Sequence, residues 1–252
     1  MKRSKDRRQQ ILELVAAGEE DVDALARQFG VSASTIRRDL AELSLSGAIT
    51  RTYGGAVLAR QAPEQTLLAR EQTNRAAKEA IARVAAERIE DGDCVLLDAG
   101  STVSALGVAL CHKTVRVVTC NLSLVPALVQ SGVDVIVLGG HVRSISMGVV
   151  GSLAEMTLRR LTVDKVFLSA DGVVAGRGLC EASAEQCALK ELLMAQATQV
   201  FVLADSSKLG RADQQCWAPI SKPWTLVTDA AATDTQLKPF TKQPGVTILQ
   251  AD

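Results

Sequence analysis

Apolar positions in the first part of the chain recur at helical spacing. Ile11, Leu14 and Val15 fall on one face of a first helix, and Val22, Leu25, Ala26 and Phe29 keep the i, i+3, i+4, i+7 spacing of a second. Gly30 interrupts the pattern. Ser32 or Ser34 can then open a third helix by accepting from backbone N–H groups of its first turn. Ile36, Leu40 and Leu43 share one face of that helix, which turns Ser34, Arg38 and Ala41 nearly opposite, with Thr35 and Arg37 on the flanks. After Gly47 the stretch AITRTYGGAVL places β-formers on both sides of Gly54-Gly55, the pattern of a hairpin with a glycine turn.

Further along, the period changes. Residues 60–74, RQAPEQTLLAREQTN, read as a linker containing Pro63, and a helix follows from about Arg75 to Ile89. Short apolar runs then alternate with helical segments: CVLLD at 94–98, VRVVT at 115–119, VDVIVLG at 133–139, KVFLSA at 165–170, QVFVLAD at 199–205, TLVTD at 225–229 and VTIL at 246–249. Helical pieces near 102–111, 122–130, 151–161 and 185–197 lie between them. Strand and helix in regular alternation imply right-handed crossovers and a largely parallel sheet covered on both faces. The expectation is an α/β chain of two parts: a winged helix-turn-helix over 1–58, a linker over 59–74, and a Rossmann-like, mainly parallel sheet domain over 75–252.

Composition changes this picture little. With 252 residues, 47% of them hydrophobic, the chain can bury a substantial core, and no apolar run approaches a membrane span. The N-terminal MKRSKDRRQQ lacks the apolar stretch of a secretion signal. Six cysteines without a C-x-x-C pair, and only two histidines, argue against a zinc site or a disulfide framework and for free thiols in a cytoplasmic protein. Twenty-eight basic residues balance twenty-eight acidic ones, although five bases and one acid crowd the first ten positions.

The candidate chemistry sits in two places. A tight glycine turn between two helices, the second showing small polar residues and arginine outward, is the helix-turn-helix pattern, and the hairpin beside it reads as a wing. An arginine pair alone is ordinarily a solvated face. With turn, cap and hairpin in order, Arg37 and Arg38 can instead pair with phosphates or guanine edges, beside Ser32, Ser34, Thr35, Arg51, Tyr53, Gly54 and Gly55.

The second place is the carboxyl ends of the strands, where helix N-termini offer free amides. Gly100, Ser101 and Thr102 follow Asp98 there, suited to cradling a phosphate or simply capping a helix. Thr119 and Asn121 mark the next strand end, Gly139, Gly140 and Arg143 another, and Asp171-Gly172 a site or a plain turn. Asp205 and Lys208 close the series, and Lys190, within a helix, reads first as solvated.

VSASTIRRDLAEL with RTYGGAVL resembles the winged helix-turn-helix of the DeoR family of bacterial sugar-metabolism repressors, with Tyr53 where the family usually has histidine. LDAGSTV, LGGHVR, DKVFLSADGV, the Glu185–Lys190 helix and ADSSKLG resemble that family's sensor domain, itself similar to sugar-phosphate isomerases. The resemblance implies a repressor of a sugar or sugar-alcohol utilisation operon, bound to double-stranded operator DNA and released by a phosphorylated sugar or sugar alcohol, with no cofactor or metal. Where the family commonly has Thr-Asn-Ser-Leu this chain has Thr119-Cys120-Asn121-Leu122, so the Asn contact is lost or moved by one residue.

Two rival classes remain at this point. One is a sugar-phosphate isomerase with a DNA-binding appendage, for which Asp98, Asp171 and Asp205 supply carboxylates; the expectation against it is that no tight acidic cluster accompanies the lysine. The other is an architectural DNA binder, which leaves the strand-end pattern unexplained. Because one recognition helix reads only a few base pairs, a homo-oligomer, dimer or tetramer, is expected.

Overall fold

The computed structural model describes residues 2–16, 21–45, 49–52, 55–58, 64–111 and 113–252. At the N-terminus three helices, α1 (Lys2–Ala16), α2 (Val22–Phe29) and α3 (Ala33–Leu45), precede a two-stranded hairpin, β1 (Ile49–Thr52) and β2 (Gly55–Leu58). Ile11, Val15, Leu25, Ile36, Leu40 and Ile49 close over one small core. The α2–α3 turn is built from its caps. Asp21 accepts from the amides of Asp23 and Ala24, and Gly30 adopts the left-handed conformation (φ 61°) that lets Val31 N–H reach the Ala26 carbonyl. The register sets Thr52 opposite Gly55, so Gly55 is the first residue of β2 rather than half of a Gly54-Gly55 turn. Tyr53 and Gly54 lie outside the described residues.

Next come α4 (Leu67–Gln72) and α5 (Arg75–Ala86), then β3 (Cys94–Leu97), α6 (Ser101–Ala109), β4 (Arg116–Thr119), α7 (Val125–Gln130) and β5 (Asp134–Val137). A hairpin of β6 (His141–Arg143) and β7 (Gly148–Val150) leads to α8 (Ser152–Leu158) and β8 (Val163–Leu168). After β9 (Gly172–Val174) and β10 (Gly178–Glu181) run α9 (Ala184–Gln196), β11 (Ala197–Leu203), β12 (Cys216–Ala218), β13 (Trp224–Asp229), α10 (Asp234–Thr241) and β14 (Val246–Ala251). The main sheet has the order β14-β13-β11-β8-β3-β4-β5, parallel throughout. Its strands are apolar on both faces, alternating at period two. Val95, Leu97, Phe167, Phe201 and Val227 pack under Ile81, Val103 and Leu106, whereas Leu96, Val166, Leu168, Val202 and Leu226 pack under Leu189, Leu193 and Phe240.

This strand order locates a site before any side chain is considered. The chain builds outward from β3 to β4 and β5, then returns to the other side of β3 as β8. The carboxyl ends of β3 and β8 therefore flank the point where crossovers diverge, the usual place for a crevice in an open parallel sheet.

The expected linker needs correcting at its C-terminal end. Thr66 caps α4 through the Ala69 amide, Leu67 is buried, and the Leu67 amide donates to the Ile145 carbonyl at 2.8 Å. A second addition is the small antiparallel sheet β12-β10-β9, set beyond the end of β8.

Candidate functional site

On the DNA-binding side, Ser32 accepts from the Thr35 amide at 3.3 Å and opens α3, resolving which serine caps. Ser32, Ser34, Arg37 and Arg38 are exposed, and Thr35 is half-buried. The next residue, Asp39, turns inward and takes a 2.6 Å bond from Arg7 Nε, which ties α1 to α3 behind the exposed arginines. Arg51 lies in β1 opposite Ala56, one position from the hairpin end.

At the switch point, α6 starts three residues beyond β3. Gly100 is there because a Cβ would lie 1.8 Å from Ser169 Oγ; its absence lets this turn press against the end of β8. Gly100 offers no side-chain cap, so the first-turn amides of α6 are left for another acceptor. Ser101 and Thr102 line a cavity of about 80 Å³ with Arg70, Lys78, Asp205, Lys208 and Arg211. One water needs roughly 10–15 Å³, so the space suits a larger group.

Four cations converge on this cavity, and they are not idle surface charges. Lys78 is buried and donates to the Arg70 and Thr73 carbonyls. Burial pushes its pKa down to about 8, against the pull of Asp205. Lys208 is depressed too, again by burial first, with Asp171 opposing. Arg211 is held by Asp213 at 2.6 Å. Arg70 is the least satisfied: Nη1 stands 3.6 Å from Asp171 Oδ1, while Nε and Nη2 are buried without a hydrogen-bond partner, as is Asp171 Oδ2. Asp205 serves the walls, accepting from Asn74 Nδ2 at 2.9 Å and from the Ser207 amide and hydroxyl. Asn74 itself adopts the left-handed conformation (φ 53°), which asparagine tolerates better than most residues other than glycine.

A second cluster lies deeper. Lys190 is buried, not solvated: its Nζ donates to Asp98 and to the Ser169 carbonyl, and stands 3.1 Å from Glu181 Oε1. Burial would depress this lysine, but Asp98 and Glu181 outweigh it and hold the ammonium above its ordinary range. Burial pushes the Glu181 carboxyl up to about 7, and Lys190 only partly offsets this. The expectation that no acidic cluster would accompany a lysine is therefore overturned. The cavity beside this cluster, lined by Asp98, Cys120, Arg143 and Lys190, measures about 10 Å³, room for one water at most.

The structure thus divides the strand-end residues. Ser101, Thr102, Asp205 and Lys208 meet at the larger cavity, with Gly100 shaping its edge; Asp98, Arg143 and Lys190 line the small one. Asp171 stands between, against Arg70. Thr119 and Asn121 reach neither. Thr119 donates to the Leu97 carbonyl, and Asn121 bonds Ser104 and Ser123, bracing the turn into α7. Cys120, in the Asn place, is a buried thiol 3.8 Å from Asp98. Gly139 and Gly140 are exposed beyond β5. Gly172 supports the site from behind: a Cβ would meet the Arg211 carbonyl at 1.9 Å. Sequence reasoning missed Arg70, Asn74, Lys78 and Arg211. One signal was present, since Lys78 sits on the apolar stripe of Ile81, Ala82 and Ala85, where a lysine must have buried partners.

Residues 7–62 match the DeoR-like helix-turn-helix domain, and residues 73–230 match the DeoR C terminal sensor domain. The transcriptional repressor AccR of Agrobacterium fabrum is 34% identical over 90% of this chain and 90% of its own. The HTH-type transcriptional regulator GlpR of Haloferax volcanii is 32% identical over 97% and 96%, and the glycerol-3-phosphate regulon repressor of Escherichia coli 32% over 87% and 88%. A ribose 5-phosphate isomerase of Methanocaldococcus jannaschii covers 54% of this chain and 55% of its own at 20% identity and a TM-score of 0.41, too loose a likeness to carry the enzyme alternative. That alternative gives way to relatives that are regulators along nearly their whole length. With both domains matched in order, the chain belongs to the DeoR family of transcriptional regulators.

Proposed function

We propose that this protein represses a sugar or sugar-alcohol utilisation operon in the cytoplasm, holding operator DNA through α3 and the β1–β2 wing and releasing it when a phosphorylated sugar or sugar alcohol occupies the β3–β8 crevice. The observation that carries the effector class is the convergence of Arg70, Lys78, Lys208 and Arg211 on one cavity beside the start of α6. A phosphate brings the negative charge and acceptor oxygens that such a set lacks. The two orphaned groups refine this. Arg70 Nε and Nη2 want an acceptor and Asp171 Oδ2 wants a donor, and a molecule with both phosphate and hydroxyl groups meets them together.

Ser101, Thr102 and Lys208 are the phosphate contacts in this reading, with Asp171 on a hydroxyl and Asp98 and Lys190 fixing the floor. The Escherichia coli relative named as a glycerol-3-phosphate regulon repressor, that is, for a phosphorylated polyol, supports that effector class. On the DNA side, Arg37 and Arg38 supply the phosphate and base contacts, with Ser32, Ser34, Thr35 and the wing around Arg51 alongside. A dimer or tetramer supplies the repeated half-sites that one α3 cannot.

A thermal-shift panel of phosphorylated sugars and polyols, each beside its free counterpart, tests the reading. At least one phosphorylated member should stabilise the protein while its free counterpart does not. Equal shifts for both forms, or none across the panel, would overturn it.

A further inference from the structure

Residues 64–74 follow the wing in sequence and are tied down at two kinds of place. At the first end, Arg143 donates to both carboxylate oxygens of Glu64, at 3.1 and 2.6 Å, and both side chains are largely buried. The Leu67 amide bonds the Ile145 carbonyl, and the Leu67 side chain is buried. These ties hold the segment to the sensor domain without involving the cavity. The other end is made of the cavity itself. Asn74 is fixed by Asp205, and Lys78 caps the last carbonyls of α4. Between the two ends, Arg70 projects into the cavity with Nε and Nη2 buried and unmet.

Unmet buried donors are unfavourable, and a guanidinium fork is matched by two oxygens of one phosphate. Its present contact, 3.6 Å to a single carboxylate oxygen, is too long for a hydrogen bond and too loose to fix the helix that carries it. Lys78 adds competition: the ammonium that caps α4 also lines the cavity, so an anion there pulls on both the side chain of α4 and the cap of its end.

We propose that residues 64–74 form a sensing strap, in which Arg70 is the effector-phosphate ligand contributed by the segment between wing and sensor domain, so that occupancy of the cavity passes to the DNA-binding head through α4. This rests on the cavity being a phosphate site. Glu64–Arg143 is the fixed anchor and Arg70 the movable one. Phosphate adds a hold on α4 between the two tied ends, at Arg70, where the present contact is loose.

The test uses the full chain, inorganic phosphate at millimolar concentration with matched ionic strength, and a DNA duplex selected by the wild type from a random pool. In the wild type, phosphate should slow hydrogen exchange of the amides of 67–74 about tenfold and shift affinity for the duplex at least fivefold. Arg70→Gln should bind phosphate about tenfold more weakly. When phosphate is raised to restore occupancy, its strap and its DNA affinity should still not respond. Arg70→Lys, which keeps the charge and loses the fork, should do the same and serves if Arg70→Gln does not fold. If Lys208→Gln abolishes phosphate binding while Arg70→Gln binds and responds like the wild type, the strap is wrong and the phosphate site stands. An unchanged strap in the phosphate-loaded wild type is equally fatal to it. If phosphate does not bind the wild type, the cavity reading falls and the strap with it.

Discussion

Lys190 donates to Asp98 across 92 residues of sequence, closing the end of β3 onto α9 in a place neither side chain shares with solvent. Glu181, at 3.1 Å, makes two carboxylates for one ammonium, which is why burial can keep the Glu181 carboxyl near neutrality, at about 7. Such a cluster is costly to break from one side, since removing the cation leaves buried negative charge. Lys190→Met should destabilise the fold by about 3–5 kcal/mol. Adding Asp98→Asn should recover part of that loss, because the second change removes the orphaned charge. Urea unfolding of the single and double variants measures both, and a Lys190→Met variant as stable as the parent would show that the cluster contributes nothing.

Arg37 and Arg38 differ from their neighbour in kind. Both are exposed, while Asp39 is buried against Arg7. Arg38→Ala should therefore cost about 1–3 kcal/mol of operator affinity if it reads a base, and leave stability within about 0.5 kcal/mol. Asp39→Ala should instead loosen the three-helix core. Anisotropy titrations and melts separate the two: a double Arg37, Arg38 alanine variant that binds at parental affinity in the same salt would remove these residues from the interface.

Periodicity was enough for much of this. The seven strands of the main sheet were readable as apolar runs because a sheet covered on both faces must be apolar on both, and α2 and α3 because their stripes were complete. Ser101, Thr102 and Lys208 were readable as strand-end residues for the same topological reason. What stayed hidden depends on distant partners. Lys190 looks solvated until Asp98 and Glu181 arrive from β3 and β10. Arg70 lay in a stretch too polar and short to announce α4, whose burial comes from Leu67 alone. β9, β10 and β12, at three or four residues each, carry too few alternations to register, and Pro239 obscured α10 despite its Thr233–Gln236 capping box.

Two glycines of the strand ends should part company on substitution. At Gly172 a Cβ meets the Arg211 backbone carbonyl at 1.9 Å, so Gly172→Ala must displace the loop that carries Lys208 and Arg211. A cost of about 1–3 kcal/mol is expected from overpacking, together with weakened phosphate binding. At Gly139 a Cβ meets nothing within 4 Å, and Gly139→Ala should change neither stability nor binding. Melts and calorimetry on the pair decide it, and the reverse ranking would contradict the placement of Gly139 outside the cavity.

Phosphate binding should depend on pH through Lys78. Burial holds this lysine at about 8 in the ligand-free fold, so above that pH it is neutral and must take up a proton to face an anion. A phosphate monoester loses its second proton near pH 6. Affinity should accordingly be highest between about pH 6 and 8, then fall by up to about tenfold per pH unit as proton uptake becomes the cost of binding. The sign for stability runs the other way. An unfolded lysine titrates at about 10.4, so between about pH 8 and 10.4 the unfolded chain binds more protons than the fold, and the ligand-free protein gains stability from this group as pH rises. Lys78→Arg keeps the charge at all these pH values and should flatten the alkaline decline in affinity, whatever it does to affinity at pH 7. Calorimetry in buffers of different ionisation enthalpy should find about half a proton taken up per phosphate near pH 8 in the wild type and less in the variant. An affinity that stays level from about pH 7 to beyond 9 would mean that Lys78 does not charge on binding, and would remove it from the contacts of the anion.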